Sequence, residues 1–191
     1  MDLDKLKQES GLCNLCSLYK DRVISVFAKG NPEADIMVCG MCPGPDENSL
    51  ENVEGHPFVG RAGKFLDTML EDVGLSLDTV YITNLVKCFV KPGIHLDEEW
   101  ITHCVPYFIS QIAIIKPKVI VSLGGDVSCF LTGAKKGTPM KMLRDGEHCY
   151  LNTPLISTYH PSYYIRGGYK KHKNYSKGVD DFNKAKSIVK R

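Results

Sequence analysis

The sequence predicts an α/β protein, a three-layer α/β/α sandwich around a central four-stranded parallel sheet. Three observations carry this. Four short runs rich in apolar and β-branched residues alternate with stretches of helical periodicity. Each crossover between parallel strands needs a covering helix, so such alternation builds a parallel sheet with helices on both faces. The chain has 191 residues, 43% of them hydrophobic, enough for one sizeable core, and a single domain over residues 1–191 is expected.

The elements follow in order. Asp35–Gly40 reads as a buried strand running into a Pro/Gly turn, Met41-Cys42-Pro43-Gly44-Pro45. Leu66, Met69, Leu70 and Val73 recur at helical spacing before Gly74, which predicts an amphipathic helix over Ala62–Val73. Val80–Val86 is the second strand. Asp97 can cap a helix whose apolar face is Ile101, Cys104, Val105, Phe108, Ile112 and Ile115, ending before Pro117. Lys118–Leu123 is a third strand, Asp126–Leu131 a short helix, Pro154–Tyr159 a fourth strand, and Ser176 can cap a last helix. Sites in such sheets lie beyond the carboxyl ends of the strands. Four segments fall there: the turn after Gly40, Lys87–His95, Gly124-Gly125-Asp126, and His160-Pro161-Ser162. No Walker A or G-x-G-x-x-G motif is present.

Net charge is only +2, but it is unevenly spread. Residues 163–191 carry nine Lys/Arg against two acids, a net of +7, which leaves residues 1–162 at −5. Tyr163, Tyr164, Tyr169 and Tyr175 are interleaved with those cations, a composition suited to a phosphate backbone with bases to stack on. The apolar runs are too short for a membrane span, and Met1–Ser10 alternates charges where a signal peptide would be apolar. A cytoplasmic protein with no membrane partner is expected, as a monomer.

Eight cysteines in a reducing compartment point to metal binding, catalysis or burial, and away from a disulfide framework. Cys13 and Cys16 form a C-x2-C pair, and Cys88 and Cys104 stand fifteen residues apart, giving C-x2-C…C-x15-C. Taken together these four favour thiolate ligation, and the spacing leaves zinc and an iron–sulfur cluster both open. Cys39, Cys42, Cys129 and Cys149 have no such pairing.

Five segments, in order and spacing across nearly the whole chain, resemble the family 4 (iron–sulfur) uracil-DNA glycosylases: Gly40–Gly44, Gly55–Gly63, Tyr81–Cys88, Pro117–Gly124 and His160–Ser162. The resemblance implies a monofunctional base-excision enzyme. It would hydrolyse the N-glycosidic bond of uracil, or of a related modified pyrimidine, in DNA. It implies a [4Fe–4S] cluster on Cys13, Cys16, Cys88 and Cys104, acting as a structural clamp, with zinc the alternative. Such an enzyme flips its target out of the stack and reads it in a pocket. Phe58 would stack on the base, Asn84 would read its edge, and Gly40, Met41 and Cys42 would line the pocket. His160 would donate to a base carbonyl as negative charge builds there, and Glu47 would position water. Gly44, Arg61, Ser162, Tyr164, Ile165 and Arg166 would hold the DNA, the last four as a phosphate grip with an apolar wedge.

Two residues depart from the pattern. Met41 stands where the family carries glutamate, and Cys42 where it carries a small residue. The first substitution opens two other readings, a non-catalytic base-binding module and a base-modifying or base-exchanging enzyme using Cys42. If the missing acid limits catalysis, Met41→Glu raises uracil excision at least tenfold. His95 lies where a related branch carries a covalently acting histidine, and without that branch's basic stretch it reads as an ordinary loop residue. No lysine is placed for Schiff-base chemistry, so strand cleavage is not expected.

Overall fold

The computed structural model describes residues 2–94 and 96–190, so His95 lies outside the described residues. Along the chain run α1 (Leu3–Leu12), a 3-10 turn (Ser17–Lys20), β1 (Ala28–Gly30), β2 (Ile36–Gly40), α2 (Arg61–Glu71), β3 (Val80–Asn84), α3 (Glu98–Ile115), β4 (Val119–Leu123), α4 (Gly125–Thr132), α5 (Met140–Asp145), β5 (His148–Tyr150), β6 (Thr153–Thr158), α6 (Pro161–Arg166), a second 3-10 turn (Tyr169–Lys171) and α7 (Tyr175–Val189).

The sheet order is β1-β3-β2-β4-β6-β5. The inner four strands are parallel, as expected, but the sheet has six strands and is mixed, because β1 and β5 add antiparallel edges to β3 and β6. Each edge strand is three residues long, below the length at which alternation registers. The β5–β6 hairpin turns on Leu151 and Asn152, both at positive φ (49° and 64°), a primed turn built without the usual Asn-Gly signal.

Period-two alternation gives the sheet two cores. Met37, Cys39, Tyr81 and Ile120 face α3 and α4 through Phe108, Ile112, Val127 and Leu131. Ile36, Val38, Ile82 and Val121 face α2, α6 and α7 through Phe65, Leu66, Tyr164 and Phe182. Asp97 caps α3 as expected, accepting from the Glu99 N–H. Ser176 does not cap the last helix: α7 begins at Tyr175 with Asn174 before it, and Ser176 lies in its first turn. Buried Asp181 on α7 takes two hydrogen bonds from Arg144 on α5, at 2.7 and 2.8 Å. β3 ends at Asn84, two residues before the expected Val86, and Cys88 lies four residues beyond the strand.

Candidate active site

Phe58, Asn84 and Gly40 meet at the carboxyl ends of β2 and β3. A side chain at Gly40 would collide with Asn84 Oδ1 and the Phe58 ring, so glycine is what lets the two approach. Asn84 closes β3, is buried, and among the described residues its Oδ1 has no hydrogen-bond partner. A buried acceptor left open is costly, and a ligand donor would relieve it. Phe58 holds φ 56°, a strained conformation for a bulky side chain. Its carbonyl lies against Gly63, where any Cβ would clash. The first turn of α2 therefore presses on the Phe58 backbone, and the Phe58 ring faces Gly40.

His160 completes this group. Its ring lies 5.9 Å from that of Phe58, centroid to centroid, and its Cβ would be 3.1 Å from a Cβ on Gly124. It is the N-cap of α6: its Nδ1 accepts from the Ser162 N–H at 3.1 Å and lies 2.8 Å from Ser162 Oγ. Burial, with Arg166 nearby, pushes its pKa down to about 4. The imidazole is thus neutral at pH 7, and because Nδ1 accepts, its proton sits on Nε2. A neutral N–H donor results.

Glu47 folds back on the turn after β2, accepting from the Gly44 N–H at 2.8 Å. Asn52 fastens this stretch, donating to the carbonyls of Glu47 and His56 and accepting from the His56 N–H. Arg61 is exposed at the start of α2. With Lys64, Pro45, Asp46 and Ser49 it lines an open cleft of about 780 Å³.

Other expected site residues fall elsewhere. The Met41 side chain packs against the α3/α4 core and lines a 440 Å³ cavity with Leu96, Ile101, Asp126 and Phe130, a lining that does not include Phe58 or His160. Cys42 is half-buried, and burial, with Asp126 and Glu47 nearby, pushes its thiol up to about 11. It is protonated at neutral pH, which removes the basis for a Cys42 nucleophile. Tyr164 is fully buried among Phe65, Tyr159, His172 and Tyr175, so it is a core residue and does not reach DNA. Its neighbours behave similarly: Tyr163 stacks on Tyr159 at 4.7 Å, and Tyr175 donates to Asp72. Tyr163, Tyr164 and Tyr175 are therefore packing residues of the tail rather than free stacking platforms, while Tyr169, edge-on to Phe65 at 5.2 Å, stays exposed. Ile165 is half-buried, while Arg166 is exposed and donates to Ser162 Oγ at 3.4 Å.

The four paired cysteines come from the end of α1, the segment beyond β3 and the buried face of α3. Cys16, Cys88 and Cys104 are buried, Cys13 is half-buried, and all four are free thiols. They lie close enough to perturb one another, since Cys13 and Cys16 raise the Cys88 pKa and Cys88 and Cys16 raise that of Cys104, in each case after burial. Arg22 Nη1 donates to Cys88 Sγ at 3.5 Å, and the Lys87 backbone to Cys104. Among the described residues no three His, Cys, Asp or Glu side chains close around a single ion. Four thiols in an apolar setting, two of them met by N–H donors, fit a thiolate-ligated group.

Two lysines escape sequence reasoning, because nothing in the local pattern marks them as buried. Lys87 is fully buried, its Nζ donating to Thr83 Oγ1, the Asn84 carbonyl and Gln111 Oε1. Burial pushes its pKa down to about 8, against a smaller opposite effect of Cys39 and Cys104. Lys29, on β1, donates to the Phe58 carbonyl at 3.1 Å and to Asp67 at 3.4 Å.

A doubly flanked sheet with an aromatic ring, an unpaired amide oxygen and a neutral histidine gathered beyond its strand ends offers the kinds of group that recognition of a flipped base requires. The chain belongs to the uracil DNA glycosylase superfamily, whose family model matches residues 27–184. Its similar relatives include the type-4 uracil-DNA glycosylase of Thermotoga maritima, 33% identical over 179 residues, 94% of this chain and 90% of that one. Those of Sulfurisphaera tokodaii and Saccharolobus solfataricus are 45% and 40% identical over 64% and 68% of this chain. The matched stretches span 54% and 59% of those two proteins, little more than half their length.

Proposed function

We propose that this protein is a monofunctional uracil-DNA glycosylase. The observation that carries it is the meeting of the Phe58 ring and the unpaired Asn84 Oδ1 at Gly40, with the neutral His160 ring 5.9 Å from that of Phe58. Uracil offers an N3–H donor to Asn84 Oδ1 and a carbonyl acceptor to the Asn84 amide N–H. Cytosine presents an acceptor at N3 instead and would leave Oδ1 unpaired, so the pairing discriminates. As the C1′–N1 bond breaks, its electron pair moves into the base and accumulates on O2, where His160 Nε2–H donates. A neutral donor stabilises this charge through a hydrogen bond without transferring its own proton to the base. Water bonds to C1′ and passes its proton toward Glu47, one of whose oxygens is held by Gly44 while the other is left for the water. The uracil N1 anion takes up a proton from solvent on release, so the products are free uracil and an abasic site. Lys87 is engaged by three acceptors beneath β3, in keeping with hydrolysis without Schiff-base chemistry.

Cys13, Cys16, Cys88 and Cys104 are read as ligands of a [4Fe–4S] cluster, which would tie three segments together. Gly44, Arg61, Ser162 and Arg166 are read as backbone contacts on the face of the pocket mouth. That all three relatives are glycosylases favours catalysis over a binding module. The test is a single-turnover excision assay on duplex and single-stranded DNA carrying uracil or modified pyrimidines, with mass analysis of the released base. Release of uracil leaving an abasic site is expected. Binding without release would sink the reading.

A further inference from the structure

Phe58 and Asn84 share an arrangement that neither side chain reveals: the backbone carbonyl of each is held by a lysine ammonium. Lys29 Nζ donates to the Phe58 carbonyl at 3.1 Å, and Lys87 Nζ to the Asn84 carbonyl. The two lysines come from unrelated segments, yet they are linked through one edge of the sheet. Lys29 lies on β1 opposite Ile82 of β3. The Phe27 carbonyl, just before β1, accepts from Thr83 Oγ1 at 2.7 Å and from Gln111 Nε2, and Thr83 and Gln111 are also the acceptors of Lys87.

Ammonium groups this buried are costly to keep. Lys87 is fully buried, and the three acceptors of its Nζ are two neutral side chains and one carbonyl, with no carboxylate among them. Burying a cation costs several kcal/mol in general; the Phe27 and Phe108 rings, 5.7 and 6.0 Å from Nζ, and the neighbouring Cys39 and Cys104 sulfurs offset part of that cost, which an apolar side chain of similar volume would not incur. Lys29 is also largely buried, its side chain only 9% exposed, and it reaches past its partner Asp67 to Phe58. Phe58 is the residue in need of restraint, since its φ of 56° persists only if its surroundings over-determine it. Asn84 needs restraint for another reason: it is the last residue of β3, where the ladder to β2 ends at Gly40.

We propose that Lys29 and Lys87 are positioning residues of the base site, each fixing through a carbonyl the main chain from which a base-contacting side chain projects. This rests on the reading of Phe58 and Asn84 as base contacts. Neither lysine touches the base or the reacting atoms. Their effect is on the chemical step, because a displacement of about 1 Å in a positioned group can cost on the order of a hundredfold in rate.

The experiment compares Lys29→Met and Lys87→Met with the parent protein and with Phe58→Ala and Asn84→Ala. Single-turnover uracil excision is measured at saturating enzyme, together with affinity for DNA containing an abasic site and with thermal unfolding. The expected result is an excision rate reduced by about 10- to 100-fold in both Met variants, abasic-site affinity unchanged within about twofold, and recovery of most of the rate in Lys29→Arg. A residue serving stability alone would lower the melting temperature and leave the rate intact well below it. If Lys87→Met does not fold, Thr83→Val, which removes one of its acceptors, takes its place and should slow the same step. Folded Met variants with the parent rate, beside slow Phe58→Ala and Asn84→Ala, overturn the positioning role. Parent rates in Phe58→Ala and Asn84→Ala overturn the base-contact reading itself, and the inference falls with it.

Discussion

His160 caps α6 through Nδ1 and is neutral, and this has a consequence for stability as well as for chemistry. Its pKa in the folded protein, about 4, lies below the 6.5 of an ordinary histidine. Above pH 6.5 both folded and unfolded chains hold it neutral, so it contributes no pH dependence. As pH falls from 6.5 toward 4 the unfolded chain takes up the proton first, and folding weakens by at most about 1.4 kcal/mol per pH unit. His160→Ala should flatten that part of the stability curve, read as denaturation midpoints between pH 7 and 4, while slowing excision about 100-fold through loss of the Nε2 donor. A slope identical to the parent's would show that another group carries it. Met41 is the second instructive residue. Its side chain lies in the cavity beside Asp126, Leu96 and Phe130, and Phe58 faces the opposite core. A glutamate there would share that cavity with Asp126. Met41→Glu is therefore expected to change uracil excision by less than about threefold, given the small effect of a charge outside the reacting site. The tenfold gain expected from the motif alone would place the acid back in the pocket.

At the level of elements, legibility follows burial. The four inner strands read as apolar runs, and β2, β3 and β4 are buried along their whole length; α2 and α3 carry clean helical stripes, and the sequence places all of these within a few residues. β1 and β5 escape because three residues cannot show a period, and α5 and α6 because six residues make under two turns. The base-contacting residues are legible because the motif context marks them, whereas Lys29 and Lys87 are not, since burial of a lysine is decided by tertiary partners distant in sequence. The basic tail departs from its sequence reading in its aromatic part. Its tyrosines pack against α2 and α7, and Phe182 and Ala185 are fully buried, so deleting the tail would remove core. The exposed cations of its middle are better probes. Lys171→Ala and Lys173→Ala together should leave the melting temperature within a degree or two. They should also flatten the salt dependence of DNA binding by about 0.9 log units per log salt for each phosphate that is no longer neutralised. An unchanged slope would assign these lysines to the solvent.

Across the whole molecule the chain is tied together where its sheet ends. α1 and the loop carrying Cys13 and Cys16 touch the rest of the fold along α3 and the segment beyond β3. The thiols of Cys88 and Cys104 wait on those two elements, and Arg22 joins the carbonyls of Ser10 and Gly11 to Cys88. Leu12 and Leu15, flanking Cys13, are 83% and 58% exposed, so apolar packing alone holds this corner weakly. A group ligated by all four sulfurs would replace that missing packing with bonds across segments up to about ninety residues apart, and its binding energy would become folding energy. Burial raises the Cys104 thiol to about 11, so loading must release protons. Protein isolated without oxygen should then hold about four irons per chain and absorb broadly near ~400 nm. Cys88→Ala or Cys104→Ala should lose both signals and several kcal/mol of stability, while Cys129→Ala, buried on α4 outside the quartet, should keep the iron. If the cluster serves only as a clamp, a partly loaded preparation should show excision in proportion to its folded fraction. Zinc in place of iron would leave the clamp but change its metal, and full stability in Cys104→Ala would remove the clamp altogether.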